Sequence, residues 1–349
     1  MAEETLLIRA DANVAMGTGH VMRCLALAEA WQDSGGRVLF AMMAPAPSMR
    51  ERLLKESVGI FEISESAGSE EDARRTAALA REHRATWVVV DGYQFGADYQ
   101  QALKSAGVKI LFLDDYGHAG HYCADVVLNQ NLSAEKSAYE IRGRYTRLLL
   151  GLKYCLLRRE FNKWREWRRE TPSVGHRVLV TMGGSDPENC TLRVMQALAV
   201  AEIEGLEARV VVGSSNPRFE SLERHARQNA VQIAVWRSVS TMAELMAWAD
   251  VAVSSAGTTS WELAFMSLPS VLLAFADHQL PVAHAVGMSG AGVNLGRFSE
   301  IDERTMAKTI RELLTDRSLR KEMAANGRGL VDGYGAGRVV SVLAQKIPQ

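Results

Sequence analysis

The chain has 349 residues, of which 47% are apolar and 23% charged, and 40 Lys plus Arg stand against 41 Asp plus Glu for a formal net charge of −1. About twice the usual domain length predicts two domains, and this balance excludes a disordered or collagen-like chain. No global basic field is offered to nucleic acid, and no apolar run approaches the roughly 18 residues of a membrane span.

The four cysteines, Cys24, Cys123, Cys155 and Cys190, lie far apart and form no C-x-x-C pair. Neither a disulfide framework nor a zinc ribbon is expected; reduced thiols and a cytoplasmic setting are. The opening Met-Ala-Glu-Glu-Thr carries acids where a signal peptide carries Lys or Arg, which points the same way.

In chain order, strands are predicted at Leu6–Ala10, Val38–Met42, Gly59–Ile63, Trp87–Asp91, Lys109–Leu113 and Val126–Leu128. A second set follows at Arg177–Thr181, Ala208–Val212, Val231–Val235, Val251–Ser254 and Ser270–Ala274. Helical periods separate them, among others over Met22–Asp33, Asp72–His83, Asn189–Ala201 and Ser240–Ala247. Apolar strands alternating with helices predict parallel sheets covered on both faces, so the fold class is α/β with two Rossmann-like parallel-sheet domains. A helix over Leu156–Arg169, with its Arg and Glu on a solvated face, leads to a Thr171-Pro172-Ser173-Val174-Gly175 break. The domains are therefore expected to span 1–171 and 172–349. Gly335-Ala336-Gly337 precedes a last helix, Arg338–Lys346, which is expected to pack back on the first domain.

Ligands of open parallel sheets bind at the carboxyl ends of the strands. Behind the first strand come Gly17-Thr18-Gly19-His20 and then Arg23. Two glycines let the backbone approach a ligand, and a helix start at His20 favours a neutral imidazole able to act as a base. The alternative is a simple helix cap. Met182-Gly183-Gly184-Ser185-Asp186-Pro187 and Ser254-Ser255-Ala256-Gly257-Thr258-Thr259-Ser260-Trp261-Glu262 are two further strand-to-helix loops suited to a diphosphate. Glu262, one turn into its helix, is placed to accept hydrogen bonds from a ribose diol. Asp91-Gly92-Tyr93, Asp114-Asp115-Tyr116 and Ala276-Asp277-His278-Gln279 also close strands. His118 and His121 have a metal-like spacing but read as a surface loop. No D-x-D, H-E-x-x-H, G-x-S-x-G or Walker sequence is present, so no metal and no cofactor are expected.

The stretch from Ile8 through Gly17-Thr18-Gly19-His20-Val21-Met22-Arg23 to Ala28 resembles the opening of the PseG-type hydrolases. These act on UDP-2,4-diacetamido-2,4,6-trideoxy-β-L-altropyranose in pseudaminic acid biosynthesis and are structural relatives of the glycosyltransferase MurG. The resemblance continues through Leu150–Arg158, Gly183–Pro187, Gly213–Pro217, Ser255–Glu262 and Asp332–Arg338, nearly the whole chain. It implies a GT-B architecture with its active site in a cleft between the domains, and His20 activating a water that attacks the anomeric carbon to release UDP. Catalytic positions are implied at His20, Tyr93 and His278. Substrate contacts are implied at Thr18, Gly19, Val21, Arg158, Gly183, Gly184, Asn216, Thr258, Thr259, Glu262 and Gln279. The family commonly reads Asp-Asn-Gln where this chain has Asp277-His278-Gln279, which leaves a hydrolase for a different amino sugar as one alternative. A GT-B glycosyltransferase using a UDP-sugar donor is another, and a sugar-nucleotide-binding protein without catalysis a third. The expected partner is a UDP-sugar, with no nucleic acid and no membrane insertion; the sequence does not fix an oligomeric state.

Overall fold

The computed structural model describes residues 4–13, 17–184, 186, 188–213, 216–239 and 241–345. Ser185, Pro187, Ser214 and Ser215 of the loop motifs, and the expected helix ends Ser240 and Lys346, lie outside them. Two compact units divide the chain: residues 1–13, 20–159 and 333–349 form the first, and 14–19 with 160–332 the second.

In the first unit β1 (Thr5–Ala10), α1 (Gly19–Asp33), β2 (Arg37–Met42), α2 (Pro47–Lys55), β3 (Gly59–Glu62), α3 (Glu70–Glu82), β4 (Ala85–Asp91), α4 (Ala97–Ser105), β5 (Ile110–Leu113), β6 (Val126–Asn129) and β7 (Arg147–Leu150) follow in turn. They build a seven-stranded sheet in the order β3-β2-β1-β4-β5-β6-β7, and every pairing is parallel. Alternation along the strands sorts the core into two layers. Leu6, Ile8, Phe40, Trp87, Val89 and Leu111 pack with Val21, Leu25 and Leu27 of α1. Leu7, Leu39, Val88, Val90 and Phe112 pack on the other face with α3 and α4. Truncating a fully buried ring such as Phe40 to Ala would cost about 3–5 kcal/mol.

The second unit contains β8 (Arg177–Thr181), α5 (Cys190–Ala199), β9 (Glu207–Val212), α6 (Phe219–Gln228), β10 (Gln232–Arg237), α7 (Met242–Trp248), β11 (Val251–Ser255), α8 (Thr259–Phe265), β12 (Ser270–Ala274), α9 (Leu280–Met288), β13 (Gly292–Arg297), α10 (Glu303–Thr315) and α11 (Arg317–Leu330). Its six-stranded parallel sheet runs β10-β9-β8-β11-β12-β13. Val178, Val180, Val210, Val253 and Val271 pack with α5 and α10. A final helix, α12 (Gly335–Ala344), belongs to the first unit. There the Trp87 indole donates to the Leu343 carbonyl at 3.0 Å, and a Cβ on Gly335 would lie 2.2 Å from the Cys155 carbonyl oxygen. Only glycine allows that approach.

Three expectations change. Residues 156–169 do not form a helix: a 3-10 turn at Arg159–Trp164 is all that is regular, and the chain then runs irregularly to β8. The Arg-rich segment is not merely a solvated face, because Arg169 donates to the carbonyls of Met246 at 2.6 Å, Met266 and Ala249. Burial pushes its guanidinium down to about 10, against the opposing field of Asp250. Arg320 likewise donates to Pro172 O at 2.7 Å, and Arg317 to Thr171 O at 3.0 Å. These bonds fasten residues 169–173 to the second unit, so the units divide at 159/160 rather than near 172. Finally, the last helix starts at Gly335 instead of Arg338.

Candidate functional site

In the first sheet the chain reverses direction of winding between β1 and β4, the place where a doubly wound sheet opens at its carboxyl edge. Register puts Asp91, the last residue of β4, beside Ala10, the last of β1. His20 and Arg23, three apart in the first turns of α1, share a helix face that meets this point.

His20 Nδ1 lies 2.7 Å from Asp91 Oδ1. Arg23 grips the same carboxylate with two bonds, Nε to Oδ2 and Nη2 to Oδ1, both 2.7 Å, while its Nη1 donates to Asp115 Oδ1 at 2.6 Å. The Cys24 thiol adds a contact to Asp91 Oδ2 at 3.3 Å. His20 is 7% exposed and Asp91 fully buried. Burial alone would raise the Asp91 carboxyl; the charges of Arg23 and His20 outweigh it and hold the group well below the usual carboxylate range. An ionised carboxylate only accepts, so this contact places a proton on His20 Nδ1, and the tautomer it selects in a neutral imidazole has Nε2 as its acceptor. That is the arrangement of an oriented general base.

Tyr93 stands edge-on to the His20 ring, with centroids 4.8 Å apart, and donates its phenol to Asp115 Oδ2 at 2.9 Å. Burial and then the Asp115 charge keep the phenol protonated, raised above its ordinary value. Next to it Asp114 accepts from the Tyr116 and Gly117 amides and from Tyr122, and His118 Nδ1 approaches it at 3.3 Å. Among the described residues no group of three or more His, Cys, Asp or Glu is placed to hold a metal ion.

The remaining expected residues fall elsewhere. Val21 is fully buried in the core, so its side chain is closed to a ligand and only its amide, in the first turn of α1, remains to offer. Arg158 is buried in the first unit, where its charge and that of Arg159 act against burial on the Glu29 carboxyl. In the second unit Gly183, Gly184, Asn216, Thr258, Thr259, Glu262, His278 and Gln279 all follow the carboxyl ends of β8, β9, β11 and β12. Gly183 has φ of 85°, and a Cβ on Gly184 would stand 3.0 Å from Thr18 Oγ1. One on Gly213 would stand 1.9 Å from the Gly184 carbonyl oxygen, so these two loops touch through bare backbone. A Cβ on Gly19 would lie 3.9 Å from Thr258 Oγ1. Asn216 is buried; its Oδ1 accepts from the Arg218 amide at 2.8 Å, and its Nδ2 meets no partner among the described residues. His278 is exposed in a 3-10 turn, Asp277–Gln279, and the Gln279 side-chain oxygen holds the Phe275 amide at 2.9 Å.

The sequence reading gave no role to Asp91, Arg23 and Asp115. The signal that finds them is positional: carboxylates that close two neighbouring strands, and an arginine one turn past the histidine.

Two parallel-sheet α/β domains with these loop-lined edges place the chain in the GT-B fold class. Residues 177–333 match the family model of the Glycosyltransferase family 28 C-terminal domain. The chain is similar to the crystal structure of Acinetobacter baumannii MurG at a TM-score of 0.65 and 17% identity, covering 97% of this chain and 99% of that one. By sequence it is 28% identical over 235 residues to the spore coat polysaccharide biosynthesis protein SpsG of Bacillus subtilis (strain 168), covering 67% of this chain and 68% of the relative. It is also 28% identical over 224 residues to the UDP-2,4-diacetamido-2,4,6-trideoxy-beta-L-altropyranose hydrolase of Campylobacter jejuni, covering 64% of this chain and 74% of that protein. No helix among the described residues is long and apolar enough to cross a membrane.

Proposed function

We propose that this protein is a nucleotide-sugar hydrolase that cleaves a UDP-linked deoxy-diacetamido sugar to UDP and the free sugar. The observation that carries the reading is the His20–Asp91 pair, with Nδ1 committed to a buried carboxylate and Nε2 left to take a proton. In the proposed step a water, losing its proton to Nε2, attacks the anomeric carbon. The C1–O bond breaks, and its electron pair leaves with the diphosphate of UDP. UDP is a good leaving group, so no strong general acid is required. The loops of the second unit, with Gly183, Gly184, Asn216, Thr258, Thr259, Glu262 and Gln279, bind the nucleotide, Glu262 taking the ribose diol. Arg158 supplies a cationic contact, and His278 and Tyr93 act on the sugar side. The relative from Campylobacter jejuni, which carries the name of this activity, supports the substrate class.

A second reading has its own support. The match of residues 177–333 to a glycosyltransferase family model favours transfer to an acceptor in place of water. One assay separates them. The chain is incubated with UDP-2,4-diacetamido-2,4,6-trideoxy-β-L-altropyranose in ¹⁸O-water with no acceptor. Hydrolysis at carbon releases UDP steadily, and its β-phosphate carries no label. UDP that appears only after an acceptor is added establishes the transferase, and labelled UDP rules out attack at carbon.

A further inference from the structure

We infer that Asp115 is a positioning residue for His20, acting through Arg23 and Tyr93. This deepens the proposed function and rests on His20 being its base. Asp115 follows β5, and its side chain is only 15% exposed. Each oxygen is spoken for: Oδ1 takes Arg23 Nη1 at 2.6 Å and Asn131 Nδ2 at 2.9 Å, and Oδ2 takes the Tyr93 phenol at 2.9 Å. Its own carbonyl accepts from Asn129 Nδ2 at 2.9 Å. The carboxylate is thereby fixed by residues of α1, of the loop after β4 and of the loop after β6, while β6 itself holds its backbone.

Two of those partners reach His20 by different routes. Tyr93 walls the imidazole edge-on and limits its rotation. Arg23 doubles onto Asp91, the acceptor of His20 Nδ1–H, and its Nη2 comes within 3.3 Å of that same nitrogen. Charge makes the second route matter. When His20 takes a proton the buried group holds two cations, His20 and Arg23, and two anions, Asp91 and Asp115. Without Asp115 the single Asp91 charge must compensate both cations, in surroundings where an unpaired charge is strongly disfavoured. The penalty falls on the state with a protonated His20, which is formed during the reaction and not on substrate binding.

Asp115→Asn tests this, since the amide keeps the shape and removes the charge. In the UDP-sugar assay kcat is expected to fall about tenfold or more while KM stays within about threefold. Equal kcat, or a change confined to KM, overturns the proposal. A readout free of substrate accompanies it. The ¹⁵N resonances of the His20 ring are expected to report the Nδ1–H tautomer in the unmodified protein and to move away from those values in Asp115→Asn. Identical ring spectra overturn the proposal even if the chain turns over no UDP-sugar, so the two readings fail separately. Should Asp115→Asn not fold, Tyr93→Phe removes only the phenol bond to Asp115. The same direction with a smaller fall in kcat is expected, and an unchanged kcat and ring spectrum overturn the proposal.

Discussion

At the carboxyl ends of their strands the two sheets present opposite chemistry. The first unit gathers Asp11, Asp91, Asp114 and Asp115 there, all but Asp115 buried, with Arg9, His20 and Arg23 between them. Arg9 spans Asp72 at 2.9 Å and Asp11 at 2.6 Å, and Asp11 in turn holds the Met43 amide at 2.7 Å. The second unit presents glycines, hydroxyls and main chain. Its buried carboxylate, Asp186, faces inward to the Cys190 and Thr191 amides and serves as the cap of α5. Buried charges hold only where each has partners, and such networks fix orientation more than they add stability. A charged edge therefore suits proton transfer, in which one ring nitrogen must be presented in one direction. A glycine edge suits a ligand already rich in charge, which needs backbone amides brought close.

The sharpest way to break this contrast is to remove His20. His20→Asn should lower kcat by about 100-fold or more with UDP affinity little changed, because the base is used only in the chemical step. Steady-state release of UDP and calorimetric titration with UDP measure the two. Near-normal turnover would show that the charged edge is structural.

Asp91→Asn comes next, with an expected loss in kcat on the order of 100-fold as the ring loses its tautomer. It has a second signature in pH. The Asp91 carboxyl is held below its unfolded value, so its contribution to stability is present above about pH 4 and disappears as pH falls further. Melting temperatures between pH 7 and pH 3 should therefore fall less steeply in the variant. Asp114 and Asp115 are lowered too and keep part of the slope.

Much of this architecture was legible in the residues. Apolar strand runs placed β8 and β12 to the residue, and the glycine before His20 marked the start of α1. Two strands were missed, β7 and β13. Arg147–Leu150 is a short Leu-Leu-Leu run that passes through Gly151 straight into Leu152, with nothing to mark it off as a strand, and Gly292–Arg297 contains two glycines and an Asn that dilute its apolar pattern. The linker failed for another reason. Leu157, Phe161 and Trp164 do recur at helical spacing, but Arg169 and Arg320 satisfy carbonyls of the irregular chain, a tertiary competition that local periodicity does not contain. Around His20 the glycine loop was legible, whereas Asp91, at the end of β4, and Asp115, just after β5, lie 71 and 92 residues from the α1 side chains they bond.

The glycine edge has its own test. Gly213→Ala sets a methyl group against the Gly184 carbonyl, which backbone must relieve by moving. The two loops should separate, raising KM for the UDP-sugar by about tenfold with kcat nearly unchanged. Glu262→Ala should show the same split if the ribose is its partner, since that bond is made equally before and during the reaction. A fall in kcat at constant KM in either variant would put chemistry on the second edge and erase the contrast.

The smallest expected effect is on His118, which separates charge that serves the reaction from charge that serves the fold. Its ring stands 3.3 Å from Asp114, an ion-pair approach and not an aligned hydrogen bond, and it packs against Phe112 at 5.6 Å. Burial would lower the imidazole, yet the close approach and charge of Asp114 outweigh it and the group is raised above its ordinary value. A raised histidine stabilises the fold fully below its unfolded pKa and loses that contribution as pH climbs through the folded value. This runs opposite to Asp91. His118→Gln should thus lower the melting temperature near pH 5, where the pair contributes about 1 kcal/mol or less, and the difference from the unmodified protein should shrink as pH rises through the folded value. kcat should follow the unmodified protein throughout, because His118 meets Tyr93 only ring to ring, at 5.6 Å, and makes no bond to His20 or Asp91 among the described residues. Equal melting temperatures at pH 5 would show that the Asp114 pair contributes nothing. A kcat that moved with pH in this variant would extend the catalytic network one residue further along the first edge.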